Sequence, residues 1–303
     1  MDRGRYDTGP SADCRGTMRL AELAGDAAER IEGDPGTEIA GLTADSRKAG
    51  PGMLFAALPG TKIDGTAFAA AAVAAGAAAV LVPEGAVVEG LGSAAVLRDT
   101  DTRRRLALMA ARFFGRQPET MVAVTGTAGK TSIASFVRQI WQAAGHASAA
   151  VGTLGVTTAA GTRYGSLTTP DPIRLHEILA ELAGAGITHA AMEASSHGLD
   201  QRRLDGVRLK AAAFTNLGRD HLDYHSDAED YFRAKLRLFD TLLEPGATVV
   251  VDADEPYADR VAAVARARGL TLMTVGEAGS DLRLVSIERD GHRQHLEIEA
   301  AGR

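Results

Sequence analysis

An α/β fold is predicted, with a small N-terminal α/β domain followed by a largely parallel sheet wrapped by helices and ending in a β-hairpin. Three observations predict it. Compact apolar runs (MVAVTG, ITHAAME, KAAAFTN, ATVVVDAD, LTLMTVG) alternate with helical segments through the second part of the chain, the pattern of a parallel sheet. A glycine-rich turn from Thr125 to Ser132 joins the first of these runs to a helix. At the end, LRLVSIE and HRQHLEIEA alternate with period two around Asp290-Gly291, a dipeptide favoured in tight hairpin turns.

Residues 1–17 read as a disordered leader or as sequence upstream of the true start, because Met18 opens MRLAELAG, the first amphipathic helix. From Thr66 a helix (FAAAAVAA), a glycine and an apolar strand (AAAVLV) closed by Pro83 make one turn of α/β alternation. A helix from Thr102 to Phe114 ends at Gly115 and Pro118, before MVAVTG begins. The expected domains are therefore 18–115 and 116–303, the second incomplete because a two-stranded ribbon at its end leaves an open edge.

With 45% hydrophobic and 24% charged residues, 303 residues suffice for two cores. A net charge of -6, with no basic block longer than Arg103-Arg104-Arg105, gives no nucleic-acid or membrane surface, and that arginine run reads as a solvated helix face. Cys14 is the only cysteine, which excludes an internal disulfide framework and a cysteine-cluster metal site and fits a reducing cytoplasm. The charged first ten residues have no apolar core of signal-peptide type behind them, and the longest apolar stretch, 67–82, is broken by Gly76. A soluble, monomeric cytoplasmic protein is expected.

The glycine-rich turn carries chemistry. In Thr125-Gly126-Thr127-Ala128-Gly129-Lys130-Thr131-Ser132 the glycines let backbone N–H groups close around phosphate oxygens. The following helix adds its dipole, Lys130 its charge, and Thr131 can ligate Mg2+. Val124 stands where the common G-x-x-x-x-G-K-[ST] loop has glycine, so this is a shortened form.

Glu193 ends ITHAAM, placing its carboxylate at a strand's C-terminal end, where a Mg2+ ligand would lie; an ordinary solvated acid is the plain alternative. His221, in the loop after KAAAFTN, has a similar location. Ser226-Asp227-Ala228-Glu229 reads as a capping box that sets the phase of the next helix. Tyr231, Phe232, Leu238, Phe239 and Leu242 then share an apolar face, and Arg233, Arg237 and Asp240 the opposite one. Lys235 falls midway across the apolar face, so it must snorkel, pair with an acid or lose its proton. A neutral amine there could take up CO2 to form a carbamate.

TGTAGKTS, MEASSHGLDQRR, TNLGRDHLDYH and YFRAKLRLF, in this order, together resemble the Mur ligase family. The upstream ADSRKAGPGMLFAALPGTKIDG is similar to the uridine-binding domain of the branch that extends UDP-MurNAc-L-Ala-D-Glu. The resemblance implies that Ser46, Thr61, Lys62, Ile63, Thr168, Thr169, Ser195, Gln201 and Arg203 contact this UDP-sugar peptide. It implies that Gly126, Thr127, Ala128, Gly129, Lys130, Thr131 and Ser132 hold ATP, making 116–303 an ATPase domain. Thr131, Glu193, His221 and Lys235, the last as N6-carboxylysine, would bind Mg2+, with Lys130, Lys235, Glu193 and His221 catalytic. The implied reaction is ATP-dependent amide ligation through an acyl phosphate, a step of peptidoglycan precursor synthesis and so of cell-wall growth, shape and division.

Two departures stand against the family pattern: Ala128 where asparagine is usual, and Asp252 where an asparagine commonly helps to hold nucleotide; Asp254 matches. The family's third domain, which binds the incoming amino acid, has no counterpart here. The added residue is therefore unreadable, with meso-2,6-diaminopimelate the commonest and L-lysine the main alternative, and this chain alone is expected to ligate nothing. Rival readings are a folylpolyglutamate synthase-like ligase, which generally lacks the uridine-binding domain, and a non-catalytic nucleotide-binding module.

Overall fold

The computed structural model describes residues 16–60, 64–165, 167–220 and 223–301. It separates into two compact units that divide at Met109/Ala110, within the helix Thr102–Phe114.

In the first unit, Gly41–Thr43, Met53–Ala56, Ala79–Pro83 and Ala95–Asp99 form a parallel sheet, with Ile31–Glu32 antiparallel at one edge. Phe55, Val80, Val82 and Val96 pack with the alanines Ala69 and Ala72 of the short helix Ala69–Ala74. The expected first helix begins two residues late, because Met18 and Arg19 pair with Ile39 and Glu38 as a strand and the helix runs only from Leu20 to Ala24. The arginine run is not a solvated face throughout. Arg104 is exposed, but Arg105 is buried, its guanidinium donating to Asp99 at 2.7 Å and to the Ala24 carbonyl at 3.0 Å and pairing with Asp26. A buried guanidinium needs its donors filled, and Asp99, six residues upstream, and Asp26, 79 residues away in sequence, fill them.

The second unit is built on a ten-stranded sheet. Seven strands run parallel, in the spatial order Ser148–Gly152, His189–Glu193, Thr120–Thr125, Ala211–Phe214, Thr248–Asp252, Thr271–Gly276 and Leu282–Asp290. Antiparallel strands extend both edges: Gly155–Thr158 and Gly161–Arg163 on one side, Arg293–Ala300 on the other. In the terminal hairpin Asp290 pairs with Arg293, so the two-residue turn is Gly291-His292, one residue beyond the dipeptide read from the sequence, with Gly291 at φ +55°. The helix Pro172–Gly184 buries Leu175, Ile178, Leu179 and Leu182, the i, i+3, i+4, i+7 stripe of a helix packed on a sheet.

The helix Ala228–Arg237 buries Tyr231, Phe232 and Lys235, as its phase predicts, and passes into a π turn at Leu238–Leu242. Two details differ. Its cap is Asp227, whose carboxylate accepts from the Asp230 amide at 2.8 Å, so the capping pair is shifted by one residue from Ser226. Arg237 is buried rather than on the solvent face, because Asp205 meets its guanidinium.

Candidate functional site

Strand order places the site. The chain enters the sheet at Thr120–Thr125, builds to one side with Ser148–Gly152 and His189–Glu193, and then crosses to the other with Ala211–Phe214. The loop after Thr125 therefore sits at the point where strand order reverses, outside the C-terminal ends of the parallel strands, where open α/β sheets bind ligands.

The loop is held by backbone and by its neighbour strand. Gly126 takes φ +145°, and a Cβ there would run into the Thr215 hydroxyl, so only glycine fits. The Thr127 amide donates to the Asn216 carbonyl and the Ala128 amide to Asn216 Oδ1, both at 2.9 Å, while Thr215 Oγ1 donates to the Ala128 carbonyl at 2.7 Å. Gly129, at φ +85°, caps the helix Lys130–Ala143 without a side chain. The first amides of that helix have no carbonyl partner in an α-helical ladder and present a positive dipole end to an anion.

Glu193, 2% exposed, is the acid of the site. Its carboxylate accepts from Thr131 Oγ1 at 2.9 Å and from the Thr153 amide at 2.7 Å. Gly152 passes so close that a Cβ would overlap that carboxylate. Lys130 donates to the carbonyls of Gly126 and Thr127, both at 2.9 Å, and burial lowers its pKa although Glu193 and Asp220 pull the other way. Lys235, 1% exposed, donates to the same Gly126 carbonyl at 2.8 Å and lies 4.3 Å from the centre of the Tyr231 ring. Burial, with the neighbouring Lys130 charge, brings its pKa down to about 7. Lys235 does not snorkel, being 1% exposed, and among the described residues its hydrogen bond goes to a backbone carbonyl while Asp220 acts on it only as a nearby charge.

A second network adjoins the first. Thr169 Oγ1 donates to the Glu193 carbonyl and accepts from the amide and hydroxyl of Ser195, each at 3.0 Å. Arg203 donates to the Thr169 carbonyl at 2.6 Å and to Gln201 Oε1 at 2.7 Å. Thr168 meets Thr153 through their hydroxyls at 3.0 Å. A cavity of 360 Å³ is lined by Thr127 to Ser132 together with Thr153, Thr168, Glu193, Ser195, Ser196 and Lys235.

The described candidates from the sequence thus converge on one place, except Ser46. It lies in the first unit, lining a separate 400 Å³ cavity with Asp45, Arg47, Phe55 and Phe68. There the Arg47 guanidinium hydrogen-bonded to Asp45 holds its carboxyl down to about 2. Thr61, Lys62, Ile63 and His221 lie outside the described residues, as do residues 1–15 of the expected leader. Thr153, Thr215 and Asn216 were missed by the sequence reading, although each closely follows a parallel strand's C-terminal end, which is the signal that could have found them.

The donor set suits a hard cation. The Glu193 carboxylate and Thr131 hydroxyl are oxygen ligands of the kind Mg2+ takes, whereas Lys235 could join them only as a carbamate, since an ammonium repels a cation. Among the described residues no three His, Cys, Asp or Glu side chains cluster to hold a metal, so water and phosphate oxygens would complete the shell.

Residues 124–301 match the model described as "Mur ligase middle domain", and residues 38–114 that described as "Mur ligase family, catalytic domain". Proteins named "UDP-N-acetylmuramoyl-L-alanyl-D-glutamate--2,6-diaminopimelate ligase" from Mesorhizobium japonicum and Agrobacterium fabrum are 55% and 57% identical, each over 94% of this chain. The chain spans 59% and 58% of their respective lengths. A solved structure of a protein with that name superposes with a TM-score of 0.78 at 31% identity, covering 93% of this chain and 57% of its own. Mycobacterium tuberculosis folylpolyglutamate synthase complexed with ADP shares only the fold, with a TM-score of 0.50 at 16% identity over 65% of this chain and 50% of its own. On the match across its middle domain and on these relatives, the chain belongs to the Mur ligase family.

Proposed function

We propose that the protein carries out ATP-dependent amide ligation in peptidoglycan precursor synthesis, joining 2,6-diaminopimelate to UDP-MurNAc-L-Ala-D-Glu. In this reading residues 18–115 bind the UDP-sugar and 116–303 bind ATP, and the protein works in the cytoplasm. Among the described residues no helix is long and apolar enough to cross a membrane. One observation carries the reading: the phosphate loop, Glu193 and Lys235 line the same cavity as Thr168 and Ser195, which belong to the adjoining network. A nucleotide phosphate and a substrate carboxylate could meet there.

The helix N-terminus and Lys130 would hold the γ-phosphate and offset the charge that builds during its transfer. The D-Glu carboxylate oxygen attacks phosphorus as the bond to the β-phosphate oxygen breaks, releasing ADP. The neutral amine then attacks the acyl carbon, phosphate leaves with the C–O electron pair, and the nitrogen gives up one proton to solvent. Mg2+, held by Thr131, Glu193, His221 and Lys235 as a carbamate, would neutralise phosphate charge. For the carbamate, the neutral Lys235 nitrogen forms a bond to the carbon of CO2, a C=O π pair moves to oxygen, and the nitrogen's proton passes to water. Its depressed pKa supports this chemistry by populating the neutral amine near pH 7.

The test is calorimetric titration of this chain with UDP-MurNAc-L-Ala-D-Glu, against UDP-GlcNAc and a folate diglutamate. Selective binding of the muramyl dipeptide is expected. Preference for folate would move the assignment to the folylpolyglutamate synthase reading, which the fold alone also allows.

A further inference from the structure

Arg237 departs from the solvent-facing position that its helical phase assigns. Its guanidinium meets Asp205 with two parallel hydrogen bonds, 2.8 and 2.7 Å, and both residues are buried. We propose that Arg237 and Asp205 are a positioning pair that keeps Lys235 on the Gly126 carbonyl while the Gln201–Arg203 turn stays on Thr169. The proposal rests on the reading of Lys235 as the carbamate-forming lysine.

Four observations carry it. Desolvating both charges makes a buried ion pair a poor source of stability compared with apolar packing, but its fork geometry fixes two elements to within a bond length. The pair also sits where the helix most needs fixing: Arg237 is the last α-helical residue before the π turn at Leu238–Leu242, where the regular ladder changes. On the other side, His176 Nε2 hydrogen-bonds the Asp205 carbonyl at 3.0 Å, tying that residue to the helix Pro172–Gly184. The intervening turn holds Arg202 at φ +61°, a conformation a non-glycine residue keeps only when its surroundings enforce it. A continuous path results, from Lys235 along its helix to Arg237, across to Asp205, back two residues to Arg203, and through Thr169 to the backbone of Glu193.

The experiment compares the chain with two variants, Arg237→Lys and the double substitution Arg237→Met with Asp205→Leu. Circular dichroism melting reports folding, 13C-bicarbonate NMR reports the Lys235 carbamate with Lys235→Ala as the blank, and calorimetry reports Mg·ATP affinity. The double variant removes both charges together and is expected to melt no lower than wild type. Roughly tenfold more bicarbonate for half-occupancy is nevertheless expected of both variants. Wild-type carbamate occupancy and Mg·ATP affinity in a folded double variant would overturn the pair as a positioning device. If wild type itself forms no carbamate, the reading of Lys235 fails separately. The pair is then judged by crystals of the double variant, where a Lys235 Nζ still seated on the Gly126 carbonyl overturns it and a displaced one supports it.

Discussion

The two walls of the cavity are made differently. The phosphate-loop wall is mostly backbone: glycines at positive φ, the leading amides of one helix, and the carbonyls of Gly126 and Thr127. The other wall presents Thr168 and Ser195 to the cavity and is backed by a relay in which Ser195 bonds Thr169, Arg203 bonds the Thr169 carbonyl and Gln201 bonds Arg203, while Thr168 bonds Thr153. A backbone wall suits a ligand part that is always the same, such as a phosphate. A side-chain wall can be shaped residue by residue to one substrate.

The difference predicts separable losses, the largest first. Lys130→Ala removes the only charge that the phosphate loop itself carries and is expected to weaken Mg·ATP binding about 10²- to 10³-fold. UDP-muramyl dipeptide binding should stay within about twofold, since a surface away from the change is usually little affected. Arg203→Ala is expected to do the reverse, costing roughly 10- to 100-fold in dipeptide affinity. Calorimetry on both variants decides, and a loss of both ligands in either one would mean the walls do not act separately.

The side-chain wall should also carry a pH signature. Burial brings His176 down to about 4 from its ordinary 6.5, and its ring braces the Asp205 carbonyl behind Arg203. Above about pH 6.5 the ring is neutral in both folded and unfolded chains and contributes no pH dependence. As pH falls from 6.5 to 4 only the unfolded chain takes the proton, so stability is lost across that window, by about 3 kcal/mol in all, and levels off below it. Urea melts at successive pH values should show this limb, and His176→Gln should flatten it. A limb of equal depth in the variant would assign it to other groups.

The walls share one point, Glu193, and Gly152→Ala tests it. The added methyl has no room beside the Glu193 carboxylate, so either the acid or the strand must move. A destabilisation of about 1–3 kcal/mol is expected. Because Thr131 and Thr169 both bond Glu193, affinity for ATP and for dipeptide should fall together. An effect on one ligand alone would place Glu193 in a single wall.

What could be read in advance follows the same division. The phosphate loop and the run of parallel strands were legible because glycine conformation and apolar periodicity are local properties, and the burial of Lys235 followed from helical phase. The side-chain wall was named only through resemblance: nothing local links Thr169 to Arg203, 34 residues away. Phase failed at Arg237 and composition at Arg105 for one reason, that an acid distant in sequence, Asp205 for the first and Asp26 for the second, can make a buried arginine acceptable. The late start of the first helix likewise came from a partner strand, Glu38–Ile39, that its own sequence does not announce.

The smallest expected effect asks whether the backbone wall stands unaided. At Ala128 the loop has no side chain to brace itself, and Asn216 supplies an amide from the neighbouring loop, accepting from the Ala128 N–H at 2.9 Å. Asn216→Ala removes the 2.9 Å bond from the Ala128 amide and a longer one, 3.4 Å, to the Ala128 carbonyl, together about 1 kcal/mol at an exposed residue, and should weaken Mg·ATP binding roughly fivefold with little change in melting. Adding Ala128→Asn to that variant should recover part of the loss by restoring a polar side chain within the loop. If Asn216→Ala binds Mg·ATP as wild type does, the loop is held without the Asn216 side chain, by its glycines, the Thr127 amide on the Asn216 carbonyl, the Gly218 amide on Thr127 Oγ1 and the Thr215 bond to the Ala128 carbonyl. The contrast between the walls would then be sharper, with one wall held mainly by its backbone.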